Sequence, residues 1–187
     1  MGRQKYTKSF EIALSAISCA VAVGVLSLGI VGAGGYFLGL WYLIAILALM
    51  VPLSKQFYLG GFLAYLGTCI LTVVLGAAAR FWDLLPFIMF FGLHPLANSL
   101  QIRFKINRWL AFAIKAVWFT GTLFAGYFMM VYGFIGSTIL NTPLYQAVKN
   151  YIYILIPAVG AVGFLIYDYL IFKCQIMINA LIYRIKK

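Results

Sequence analysis

Apolar runs long enough to cross a bilayer recur along the whole of this chain, and little sequence is left over between them. A segment crossing the hydrocarbon must satisfy every backbone hydrogen bond internally, so such a chain has few options beyond packed helices. Composition agrees: mean hydropathy is +1.04, 65% of residues are hydrophobic and only 9% are charged. The class expected is an all-α polytopic membrane protein, 1–187 forming a single integral membrane domain in the lipid bilayer. In 187 residues this leaves no room for a separate catalytic or nucleotide-binding domain.

Cutting at charged and Gly/Pro-marked breaks predicts a bundle of six transmembrane helices with spans 10–33, 36–51, 57–79, 82–101, 109–135 and 151–183. The last run exceeds one simple span. It is expected to divide into an approach around Tyr151 to Ile156, a span from Pro157, and an interfacial tail towards Tyr183. Arg3, Lys5, Lys8, Lys55, Arg103, Lys105, Arg108, Arg184, Lys186 and Lys187 fall on one side of these spans, against Arg80 and Lys149 on the other. The positive-inside rule therefore puts both termini in the cytoplasm of a multi-pass cell-membrane protein. The same rule accounts for the net charge of +11 and excludes nucleic acid as the partner that a basic chain would otherwise suggest. The first apolar run continues past the Ala16-Ile17-Ser18-Cys19 stretch that faintly resembles a lipoprotein cleavage box, so an uncleaved first span is expected.

Enzyme chemistry is poorly supplied. Glu11, Asp83 and Asp168 are the only carboxylates and His94 the only histidine, while no HExxH, GxSxG or P-loop pattern occurs. Cys19, Cys69 and Cys174 share no metal-ligand spacing and read as packing residues. No catalytic residue, cofactor or metal site is predicted, and the chain is not expected to be an enzyme.

Three groups of residues remain. Ala13, Ala16, Ala20 and Gly24 recur along one face of the first span, a surface small enough for another helix to approach closely; that helix is either a partner's or another span of this chain. His94, Asn98, Lys115 and Asp168 all fall in the inner half of the bilayer under the predicted topology and are placed to meet. Lys115 with Asp168 forms a structural ion pair or a coupling relay. On the outer side, Arg80, Trp82 and Asp83 in one loop, and Asn141, Asn150, Tyr151 and Tyr153 at the start of the last helix, combine aromatic faces with a few polar groups. That mixture suits either a pocket for a small polar molecule or an interfacial aromatic belt.

A basic N-terminus leading into a span with an Ala16-x-x-x-Ala20 face, six spans in under two hundred residues and a basic C-terminus together resemble the S-component of an energy-coupling factor (ECF) vitamin transporter. The resemblance implies a substrate-binding membrane subunit. It would capture a vitamin or related micronutrient from the outer side and dock through the Ala16/Ala20 face on a transmembrane T-component driven by two cytoplasmic ATPases. The pocket residues match no one vitamin's signature. A self-contained carrier or channel using Lys115, Asp168 and His94, and a non-transporting membrane scaffold, are the alternatives.

Overall fold

A computed structural model describes residues 7–129, 131 and 142–184 of the chain, and among them every regular element is helical. The chain is all-α. Helices α1 (Lys8–Ser27), α2 (Leu38–Ser54), α3 (Tyr58–Val74), α4 (Phe81–Pro86), α5 (His94–Phe104), α6 (Arg108–Met129), α7 (Pro143–Val148) and α8 (Ile152–Arg184) follow in order. Among the described residues, four helical stretches are long and apolar enough to cross a membrane: Lys8–Gly32, Ala77–Phe104, Arg108–Met129 and Ile152–Ile182. The helices Leu38–Ser54 and Tyr58–Val74 are apolar but shorter. These features define a membrane protein built from helices.

The backbone divides into two compact units, one of 1–105 with 171–187 and the other of 106–170. In the first, α1 packs on both α2 and α3, and α2 also packs on α3 and α5. The sequence starts α1 at Thr7, whose hydroxyl accepts the Phe10 amide at 3.3 Å. Helix α1 then buries Ser15, Ser18, Ala22, Val23 and Leu26. Small residues bring α1 and α3 close together. A Cβ on Gly60 would collide with the Ser15 hydroxyl, so this crossing requires glycine. Further along the same pair of helices the Thr68 hydroxyl lies 3.7 Å from Cys19 Sγ while donating to the Ala64 carbonyl at 2.7 Å.

The stretch predicted as a continuous span over 82–101 is broken in a defined way. Pro86 has no amide hydrogen, the Phe87 amide bonds the Leu84 carbonyl, and the Gly92 amide reaches back five residues to Phe87 at 2.9 Å within a π-type turn over Phe87–Phe91. The carbonyls of Asp83 and Ile88 are thereby released from their usual helical donors. Tyr42 of α2 donates its hydroxyl to the Asp83 carbonyl, and Tyr65 of α3 donates to Ile88 at 2.6 Å. Both tyrosine rings sit against Phe87, with centroids 5.9 and 6.4 Å away. Two buried hydroxyls thus satisfy two carbonyls that hydrocarbon could not.

In the second unit, α6 and the first part of α8 pack through a ring cluster in which Phe164 lies 5.2 Å from Phe112 and 5.4 Å from Phe119. Helix α8 is continuous from Ile152 through Pro157 to Arg184. Pro157 is close to the helix start, and the only intrahelical bond its missing amide removes is that to the Tyr153 carbonyl. At 1.5 Å per residue this helix is about 50 Å long, well beyond the ~30 Å hydrocarbon core.

Candidate functional site

Helix α1 carries two small-residue faces that do different things. The serine face, Ser15 and Ser18 with Ala22, is buried against the helices of its own unit. The other face holds Ala13, Ala16, Ala20 and Gly24, all exposed, and a Cβ on Gly24 would meet nothing within 4 Å. The rotation of α1 follows from which face can be closely packed: Gly60 and Gly67 of α3 admit Ser15 and Cys19. The alanine face is left uncovered by the described residues.

Of the residues predicted for the outer side, Arg80 and Asp83 form an ion pair, Nε to Oδ2 at 2.7 Å, at the start of α4. The turn after α1 closes over it. A Cβ on Gly35 would stand 2.5 Å from an Arg80 guanidinium nitrogen and 2.9 Å from Asp83 Oδ2, and Gly35 has φ +81°, so glycine is required there twice over. Trp82 is half-buried and meets Phe81 edge to face at 6.3 Å. Asn150, Tyr151 and Tyr153 belong to the other unit and are exposed, with the Tyr153 ring stacked on Phe124 at 6.3 Å. Asn141 lies outside the described residues.

The polar residues predicted for the inner half of the bilayer form two groups. Lys115 Nζ and Asp168 Oδ1 are 2.5 Å apart, and both residues are buried. A lone charge at this depth would be costly, and the pair is the arrangement that makes either one tolerable. His94 and Asn98, each fully buried, belong to the first unit, where His94 packs on Phe90 at 5.1 Å. Beside them are residues to which the sequence reading assigned nothing. Gln175 of α8 donates to Ser99 and to the Pro95 carbonyl, while Gln101 is buried on the same α5 helix. The signal for Gln175 was present: Asp168, Gln175 and Asn179 stand seven and then four residues apart, one helical stripe of polar groups in an apolar run. Among the described residues, no three His, Cys, Asp or Glu side chains gather to hold a metal.

The fold and these sites define an all-helical membrane protein with a buried ion pair, a glutamine–serine contact and an unpacked small-residue helix face. No family model, characterised protein or solved structure matches the chain.

Proposed function

We propose that this chain is the substrate-capture subunit of an ECF-type transporter, taking a small micronutrient from the outer side of the cell membrane and docking on a T-component driven by two ATPases. One observation carries the reading: Ala13, Ala16, Ala20 and Gly24 are all exposed while the opposite face of α1 does the packing. A smooth face of this kind permits close approach of a partner helix without deep interlocking, which suits repeated docking and release. On the outer side the ligand contacts are Arg80, Trp82 and Asp83 under the Gly34–Gly35 turn; Asn141, Asn150, Tyr151 and Tyr153 are candidates from the sequence alone and lie outside this group. The six-span arrangement with both termini cytoplasmic belongs to the same proposal.

The test is affinity purification from native membranes of the wild-type chain and of Ala20→Trp, with mass spectrometry for partner proteins and small molecules. Wild type is expected to bring a transmembrane partner, two ATPases and a bound metabolite. Ala20→Trp is expected to fold and keep the metabolite but lose the partners. Partners retained by the folded variant, or none recovered with wild type, would overturn the proposal.

A second reading rests on the buried Lys115–Asp168 pair. A self-contained secondary carrier would use it, with His94, as a coupling group. Transport that survives joint neutral replacement of the pair excludes that reading.

A further inference from the structure

A groove of about 580 Å³ runs between α1 and α3, within the first unit and apart from every residue of the outer site. Its mouth carries Lys8 and Glu11, its walls include Leu59 and Leu63, and Ser15 and Cys19 lie deeper along α1. Ser15 is only 7% exposed, and its hydroxyl has no hydrogen-bond partner among the described residues. A buried hydroxyl in an apolar surround is destabilising unless something bonds to it, and a turn of the Ser15 side chain off Gly60 into the groove would let a ligand do so.

We propose that the groove binds one phospholipid with a phosphoethanolamine headgroup. From Lys8 to Cys19 the groove follows α1 for about 16 Å, past Ala16, and is open along one side. An alkyl chain, about 4 Å thick at carbon contact distance, fits with room for a neighbour. The open side of the groove is apolar, with Ile12, Leu59 and Leu63 exposed, as a surface meeting lipid chains should be.

The charges select the headgroup. Lys8 and Glu11 stand three residues apart, about 4.5 Å along the axis, and neither is in an ion pair among the described residues. A phosphate and a primary ammonium joined by two carbons present the complementary signs. The long Lys8 stem meets the phosphate and the shorter Glu11 side chain the ammonium. One turn deeper, the Ser15 hydroxyl donates to an ester carbonyl of the glycerol, and the chain continues past Cys19 and Leu63. An anionic headgroup without the amine would leave Glu11 facing a like charge.

The full chain in phosphatidylcholine nanodiscs, doped with phosphatidylethanolamine or phosphatidylglycerol of identical acyl chains, tests this by two readouts. Alkylation of Cys19, followed by peptide mass spectrometry with Cys69 and Cys174 as references, is expected to slow with phosphatidylethanolamine alone. Native mass spectrometry of the released protein is expected to retain one phosphatidylethanolamine, and Glu11→Gln to lower its preference over phosphatidylglycerol by about threefold, the worth of a partly exposed ion pair. Leu63→Trp, which fills the groove from an exposed position, is expected to lose the adduct while unfolding at the wild-type temperature; Ile12→Trp serves if that variant does not fold. Equal protection by all three lipids, an unchanged preference in Glu11→Gln, or Cys19–Cys19 crosslinks showing a second copy in the groove would each overturn the assignment. None of these results depends on a transport partner.

Discussion

Neutral replacement of the Lys115–Asp168 pair, one residue at a time and then together, gives a quantitative test of what holds α6 to α8. Side-chain exposures of 6% and 13% mean that water screens the pair little. With Lys115 Nζ 2.5 Å from Asp168 Oδ1, the gross attraction is about 7 kcal/mol at an effective dielectric of 20. Desolvation offsets most of this gross attraction. Removing one partner does not restore the solvation of the other, so Lys115→Met or Asp168→Leu alone should cost about 3–5 kcal/mol. At roughly 2–4 °C per kcal/mol for a chain of this size, each single variant should melt about 6–20 °C below wild type. The double variant buries no charge and puts two apolar side chains beside the Phe112, Phe119 and Phe164 rings; it should recover to within about 2 kcal/mol of wild type. Thermal unfolding of the purified protein in one detergent, followed by tryptophan fluorescence, closes the cycle. Losses that add to within about 0.5 kcal/mol would mean that the two charges are stabilised by other groups, and the reasoning would fail. Transport measured on the same double variant separates a structural pair from a coupling one.

Tyr65→Phe removes the donor to the Ile88 carbonyl and keeps the ring on Phe87; a loss of about 1–2 kcal/mol is expected by thermal unfolding, and no change would mean that carbonyl finds another donor. Gly35→Ala combines a left-handed backbone with a collision against Arg80 and Asp83, so it should cost more than about 1 kcal/mol and weaken ligand retention by the purified chain together with stability. A Gly35→Ala variant as stable as wild type would mean that the turn does not close over the ion pair.

The helical class and four of the membrane-length stretches were legible because apolar runs of that length leave the backbone few other ways to satisfy its hydrogen bonds. The boundaries were less so. Leu75 to Ala79 is as apolar as α3 before it, yet Gly76 at φ +116° separates α3 from the turn at Ala77–Arg80, and nothing in hydropathy marks a left-handed glycine. Pro157 leaves its helix unbroken: a proline near a helix start costs little, and only its place in the finished helix shows that. Within the site, Lys115 and Asp168 were readable as opposite charges in hydrocarbon. Gln175 was not singled out because glutamine in a membrane helix is ordinary until its partner, Ser99 seventy-six residues earlier, comes into view.

Helix α1 shows why the small-residue pattern alone was ambiguous. Ser15, Ser18 and Ala22 repeat at nearly the same spacing as Ala16, Ala20 and Gly24, one to two residues out of phase, and either set could have packed inward. The choice is made from outside α1. Gly60 and Gly67 on α3 accept a hydroxyl and a thiol at close range, and turning α1 to present the alanines would expose Ser15 and Ser18 to hydrocarbon with no new partner gained. The close fit of Ser15 and Cys19 against the α3 glycines fixes the rotation, since the Ser15 hydroxyl makes no hydrogen bond among the described residues. It follows that Ser18→Ala and Ser15→Ala together should loosen the orientation of α1 while leaving its helicity intact. Crosslinking between single cysteines placed at Ala20 and on α3, in a background with Cys19, Cys69 and Cys174 replaced, should rise in that variant; an unchanged yield would show that Ala22, Val23 and Leu26 set the rotation by packing alone.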